Sequence, residues 1–383
     1  MFHKSVRDCV RCGTCKTICP TYETLRNETM SGRGRIAILD AILSGQIKPS
    51  GRAVESIFSC IQCGACARNC PPGINIPEVL YTGRKYLKRY AGGYKLFRLL
   101  TGIALKHPDI LFSISRLLKK PVNRFLIRNN LVPCGFSLPD NSLTRLPQVI
   151  NTRDRKGRVA VFRGCSTNYA YPEIGNSLIR VLVKLGYEVI LPKAEVCCGT
   201  PFRTLGMEKE ARAFARKNVE VFGRLKADAV ISACPTCILA LKYEYPLLIN
   251  RGIENAMDIP SFLSLQENMT LNNPLTMKAF YHDPCHMLYG LKVSREPREI
   301  LKKCGVTLTG NSDHSCCGFG GSTYSIKFRD ASLRLAKARW KTIEESSAEA
   351  VFTSCPGCIL QLKKVCRSVD VFHVIEAVDE AMG

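Results

Sequence analysis

Ala229-Val230-Ile231-Ser232-Ala233-Cys234-Pro235-Thr236-Cys237 recurs 121 residues later as Ala350-Val351-Phe352-Thr353-Ser354-Cys355-Pro356-Gly357-Cys358. Each copy is a short apolar run, of the kind that forms a buried strand, and each ends in Cys-Pro-x-Cys. Working outward, the match extends over residues 159–243 and 278–363. The first copy carries Cys165 and then Cys197-Cys198-Gly199; the second carries Cys285 and then Cys316-Cys317-Gly318. The lone cysteine precedes the pair by 32 and 31 residues, and 36 and 38 residues lead on to Cys-Pro-x-Cys. Residues 159–162, 188–191 and 229–232 are strand-like, and 177–185 and 209–225 have helical spacing. Residues 278–281 and 350–353 fill corresponding strand positions in the second copy. Strands alternating with helices predict parallel sheets. Cys165, Cys234, Cys285 and Cys355 then fall just past strands, at the carboxyl ends where open α/β sheets build their sites.

A shorter repeat lies nearer the start. Cys9-Val10-Arg11-Cys12-Gly13-Thr14-Cys15-Lys16-Thr17-Ile18-Cys19-Pro20 returns as Cys60-Ile61-Gln62-Cys63-Gly64-Ala65-Cys66-Ala67-Arg68-Asn69-Cys70-Pro71. Both read C-x2-C-x2-C-x3-C-P, the bacterial two-cluster ferredoxin spacing, whose fourth cysteine serves the other cluster. That crossing assigns Cys9, Cys12, Cys15 and Cys70 to one [4Fe–4S] cubane, and Cys60, Cys63, Cys66 and Cys19 to the other. Gly13 and Gly64 allow the tight wrap, and Pro20 and Pro71 turn the chain away. Zinc would favour two Cys-x-x-Cys pairs separated by a longer gap. Residues 33–43 and 77–90 read as helices around the motifs.

Among 383 residues there are 21 cysteines, and the formal net charge is +23. Composition is otherwise that of an ordinary globular protein, 46% hydrophobic and 23% charged. The first residues hold no apolar signal core, and the longest apolar stretch, 99–118, is broken by charges and a proline. A cytoplasmic chain with reduced thiols is expected, its cysteines serving as metal ligands rather than disulfides. The stretch 84–128 holds twelve Lys/Arg against one acid, Asp109, about half of the net positive charge.

Five cysteines per half exceed what a cubane or a zinc ion needs. Adjacent cysteines are not expected to reach one small ion together. A larger, irregular cluster in each half is one reading; zinc or cubane sites with a spare thiol are the other. Here the sequence resembles a known family. The doubled C-x31–38-CCG-x35–38-C-P-x-C behind two ferredoxin motifs resembles the cysteine-rich CCG-domain iron–sulfur proteins, such as the D-type subunit of heterodisulfide reductase. It is also similar to the iron–sulfur subunits of glycolate oxidase, anaerobic glycerol-3-phosphate dehydrogenase and lactate oxidation complexes. The resemblance covers about residues 1–90 and 155–365. It implies one or two noncubane [4Fe–4S] clusters, one held by Cys165, Cys197, Cys198, Cys234 and Cys237. The other would be held by Cys285, Cys316, Cys317, Cys355 and Cys358. It implies an electron-transfer subunit of an anaerobic oxidoreductase complex, active only within that complex. Two alternatives follow: a catalytic disulfide/dithiol reductase subunit, or a relay for a flavin-dependent glycolate-, lactate- or glycerol-3-phosphate-type dehydrogenase. Expected partners are a flavoprotein dehydrogenase, a hydrogenase-like subunit or a cytochrome b.

The expected fold class is α+β. A helical two-cluster ferredoxin domain (1–90) and a basic helical linker (91–155) precede a duplicated α/β cysteine-rich domain (156–265 and 275–383). In His282-Asp283-Pro284-Cys285-His286, either histidine could hydrogen-bond a cluster sulfur or pass a proton to a leaving thiolate, His286 being the catalytic candidate. Capping of the strand end is the plainer reading. His314 is a weaker candidate of the same kind. Cys134, Cys304 and Cys366 fall outside the repeats and read as plain thiols. No G-x-G-x-x-G follows a strand, so neither FAD nor NAD is expected. The basic linker suits an anionic membrane surface, through an apolar face of Leu96, Phe97, Leu99, Leu100 and Ile103, or an acidic partner. No nucleic-acid motif accompanies it, and no nucleic acid is expected.

Overall fold

The computed structural model describes residues 2–153, 155–267, 269–310, 315–366 and 368–383. His314 lies outside the described residues. The N-terminal module is helical: Gly32–Leu43, Gly51–Phe58 and Ile76–Leu87 surround the two cysteine motifs. Ile36, Leu39 and Ile42 recur at helical spacing and turn inward against Val54, Ile57 and Leu80. Ser31 and Ser50 cap the first two helices by accepting from the Gly34 and Ala53 amides. Gly34 has no alternative, because a Cβ there would stand 2.0 Å from the Glu28 carbonyl oxygen.

Behind this module stand two sheets. The first joins β1 (Val149–Ile150), β2 (Gly157–Val161), β3 (Tyr187–Ile190), β4 (Ala229–Ser232) and β5 (Ala256–Asp258) in the order β1-β3-β2-β4-β5. The second joins β6 (Met277–His282), β7 (Val306–Leu308), β8 (Ala350–Thr353) and β9 (Asp370–His373) in the order β7-β6-β8-β9. All pairings are parallel except β1 with β3. Leaving aside β1, both halves carry the same topology, so the sequence duplication is a structural one. β3, β4 and β8 are buried at every residue, as strands with both faces covered must be.

β1, β5, β7 and β9 were not expected. They are two to four residues long, too short for a pattern to register, and β1 comes from the stretch read as linker. One core runs through both halves: Val159, Val161 and Ile231 belong to it together with Phe280, Val351 and Val371. Helices Pro172–Lys184 and Val374–Ala381 pack across this seam, joined at the surface by Arg180 and Asp379. The N-terminal module is clamped to the first half. Phe202, Leu205 and Met207 complete its core. The buried Arg84 guanidinium donates to the carbonyls of Ile57, Phe58, Cys60 and Thr204.

Candidate metal centres

The eight N-terminal cysteines face two cavities. One, with about 330 Å³ of empty space, is lined by Cys9, Cys12, Cys15 and Cys70; the other, with about 370 Å³, by Cys19, Cys60, Cys63 and Cys66. Each cavity thus takes three cysteines from one motif and the last from the other. Gly13 (φ 91°) and Gly64 (φ 84°) sit in the left-handed region and open the short helical turns that aim the sulfurs inward. Gly32 lies between the cavities, where a Cβ would come within 3.3 Å of both Cys15 and Cys66.

The ten cysteines of the two halves form one file. Cys165 meets Cys197, which meets its neighbour Cys198; Cys198 meets Cys237, and Cys237 meets Cys234. Cys234 then touches Cys355 of the other half. The file continues through Cys358, Cys317 and Cys316 to Cys285, with 3.2 Å between the Cys317 and Cys358 sulfurs. Both thiols of each adjacent pair enter this file, and Gly199 (φ 85°) and Gly318 (φ 80°) follow the pairs in the left-handed region. Cys304 is buried in the core away from the file, Cys134 is exposed, and the Cys366 thiol turns to the Val369 carbonyl.

The residues fit iron–sulfur clusters chemically. Burial raises the Cys63 and Cys66 thiols well above their ordinary value, and neighbouring cysteines add to it. Thiolates packed this closely need a metal cation between them, which the iron of a cluster supplies. Several polar atoms beside the sulfurs are buried with no hydrogen-bond partner among the described residues: the Gln62 amide, the Tyr324 hydroxyl and His282 Nε2. His282 Nδ1 accepts from Arg339 Nε at 3.0 Å, so the proton sits on Nε2. A ring nitrogen of His282 stands within 4.8 Å of the Cys317 and Cys358 sulfurs. Burial, and then the Arg339 charge, pushes His282 down to about 3, so the ring is neutral.

His286 is differently engaged. Its Nε2 lies 3.0 Å from the Gln62 carbonyl and its Nδ1 2.7 Å from the Thr236 hydroxyl. Nε2–H therefore donates to Gln62 O, and Nδ1 accepts from Thr236. One ring ties the second ferredoxin motif to the Cys-Pro-Thr-Cys turn of the first half, from a position next to Cys285. Around it, Ile61, Cys63 and Ala65 share an apolar cluster with Tyr324, Ala331, Cys285 and Cys316. Gln62 and Tyr324 escaped sequence reasoning. Only the register of Gln62 with Arg11 in the repeat could have flagged the first, and nothing local marks the second.

The cysteine-rich domain model of the CCG family matches residues 159–242 and 279–363, and a 4Fe–4S dicluster domain model matches 5–74. The chain carries a 4Fe–4S dicluster domain followed by two cysteine-rich CCG domains. An uncharacterized iron–sulfur protein of Methanocaldococcus jannaschii is 29% identical over 97% of this chain and 73% of its own. One subunit of the anaerobic glycerol-3-phosphate dehydrogenase of Escherichia coli is also 29% identical, over 99% of both chains. One subunit of the dihydromethanophenazine:CoB–CoM heterodisulfide reductase of Methanosarcina barkeri is 27% identical over 98% of this chain and 93% of its own. A crystal structure of a hypothetical protein from Helicobacter pylori shares the fold at 12% identity and a TM-score of 0.54, covering 92% of this chain and 68% of that one. This CCG-domain chain is an iron–sulfur protein of the oxidoreductase type with an electron-transfer role, and two of the relatives named are subunits of oxidoreductase complexes.

Proposed function

We propose that this subunit passes electrons between a partner redox subunit and its own cysteine-rich pair, and that they enter the pair through its second half. One observation carries the reading: Cys63 shares an apolar cluster with Cys285 and Cys316, and after burial itself these thiols, with Cys66 and Cys19, are what raise it. Cys9, Cys12, Cys15 and Cys70 would hold one cubane, and Cys19, Cys60, Cys63 and Cys66 the other. The five cysteines of each half would hold the further clusters. Bound there, iron–sulfur clusters supply one-electron exchange. The chain's own residues exclude water with Ile61, Ala65 and Tyr324, and His282 donates to sulfur. His286 fixes three cysteine-bearing turns against one another. With both ring nitrogens engaged, His286 reads as a positioning residue rather than as a proton donor. The partner is a flavoprotein dehydrogenase, hydrogenase-like or cytochrome b subunit, met at the cytoplasmic face of the membrane.

Iron and sulfide analysis of the anaerobically prepared chain tests this. Four clusters require about sixteen irons per chain, and cubanes alone about eight. A colourless, zinc-filled protein would overturn it. The unbroken file of ten sulfurs supports a second reading, two-electron disulfide/dithiol interconversion at the pair. C317S then abolishes disulfide reduction while the N-terminal EPR signals survive, and retained turnover would sink that reading.

A further inference from the structure

Helix Lys95–Lys106 turns Leu96, Leu99, Leu100 and Ile103 to solvent, at the i, i+3, i+4, i+7 spacing of a single helix face. Helix Pro108–Leu117 and the residue after it do the same with Ile110, Ile114, Leu117 and Leu118. These eight side chains are 43–81% exposed, and no residue of either helix is fully buried. Phe125 follows on helix Lys119–Arg128, itself 61% exposed. In a globular protein such rows face the core; here they face outward, a few hundred Å² of apolar surface with a reason to exist.

The charge around the rows is mostly positive, and among the described residues the one carboxylate paired with a cation of these helices is that of Asp140, with Lys119. Lys95, Lys106, Lys120, Arg124 and Arg128 are exposed and have no ion-pair partner among the described residues. The segment's single acid, Asp109, is occupied by the Tyr169 and Thr144 hydroxyls. Tyr86 and Tyr90 stand exposed just before the first helix. Apolar rows, cations mostly without carboxylates, and flanking tyrosines are what an anionic bilayer surface accommodates: acyl chains, phosphates, and the headgroup layer where aromatic rings settle. The helices have 12, 10 and 10 residues, about 15–18 Å each, against roughly 30 Å of hydrocarbon. No helix among the described residues is long and apolar enough to cross a membrane. They can lie in the interface and not span it.

We propose that residues 95–128 form an in-plane, reversible attachment face for an anionic lipid bilayer. Phe97 and Leu105, on the opposite side of the first helix, pack onto the core of the N-terminal module. Attachment would therefore hold that module, with its eight cysteines, beside the lipid. This stands independently of the electron path proposed above, since iron content reports on one and lipid binding on the other.

Flotation of the iron-loaded full chain with vesicles tests it. Vesicles of phosphatidylglycerol and phosphatidylcholine should carry the protein up the gradient, and vesicles of phosphatidylcholine alone should leave at least tenfold more behind. L99E/L117E should lose the anionic-vesicle binding at unchanged iron content and visible absorption. A second variant, L117W, leaves the polar balance intact. Its emission should shift to the blue when anionic vesicles are added, above the constant signal of Trp340, which is buried. Three results would each overturn the proposal. One is no flotation with anionic vesicles. Another is flotation that L99E/L117E does not change, which is adhesion of a +23 chain by charge alone. The third is a face left dry by vesicles but covered by an acidic partner protein.

Discussion

At the scale of single residues, the molecule relies on a few side chains that each tie several loops. Arg84 is the clearest. It is fully buried, and its guanidinium satisfies four carbonyls from the helix before the second motif, the motif itself and the first α/β half. R84M removes every one of those donors and leaves the acceptors in the dark, so the iron-loaded chain should lose on the order of 3 kcal/mol or more. A thermal midpoint within a degree of wild type would contradict this. His286 and Thr236 make a subtler test. H286A and T236V should each destabilise, but together by about 1 kcal/mol less than their sum, because both break the same hydrogen bond. An additive double-mutant cycle would mean that the bridge does not form in solution. Sequence placed both His282 and His286 beside Cys285 but could not rank them. What separates them is the Arg339 guanidinium and the Gln62 carbonyl, which come from 57 and 224 residues away.

At the scale of elements, the strand–Cys-Pro-x-Cys–helix unit was legible because its parts are local: an apolar run, a proline at the first helical turn, two thiols on one side. The short edge strands were not, since two to four residues set no period. The first linker helix was half legible. Its apolar residues were read as one face, but Phe97 turns inward and the outward row needs Leu96, Leu99, Leu100 and Ile103 alone. The end of β9 offers a prediction. His373 accepts from the Ile375 amide to cap the last helix, and its Nε2–H donates to the Ala233 carbonyl of the first half. Burial pushes it down to about 4. Between that value and the ordinary 6.5, the unfolded chain takes up a proton that the folded chain refuses. This contribution is therefore intact above about pH 6.5 and is lost as pH falls toward 4, at most about 3 kcal/mol. H373Q should flatten the stability profile between pH 7 and 5; an unchanged slope would assign the acid sensitivity elsewhere.

At the scale of the whole molecule, the two N-terminal cavities exchange their fourth cysteines, so loss of iron should not follow motif boundaries. C19S, in the first motif, should cost the centre lined by the second motif, and C70S the reverse. The EPR signal lost in C60S identifies the second-motif centre, and C19S must remove that one. Loss of the other centre would mean that each motif serves itself. The crossing was readable from the C-x3-C-P spacing. The file of ten sulfurs was not, because its central contact, Cys234 with Cys355, joins residues 121 apart that only the packing of two sheets brings together.

The same exchange of cysteines has a consequence for biosynthesis. When the first motif leaves the ribosome it offers three sulfurs to its own cavity, and the fourth is still 50 residues away in Cys70. At ordinary translation speeds that gap lasts roughly 3–10 s. Until Cys66 has been made neither cavity has its four sulfurs, and the one lined by Cys9, Cys12 and Cys15 waits for Cys70 as well. The two cavities therefore gain their last sulfurs within four residues of each other, at Cys66 and Cys70, although the first motif was made long before.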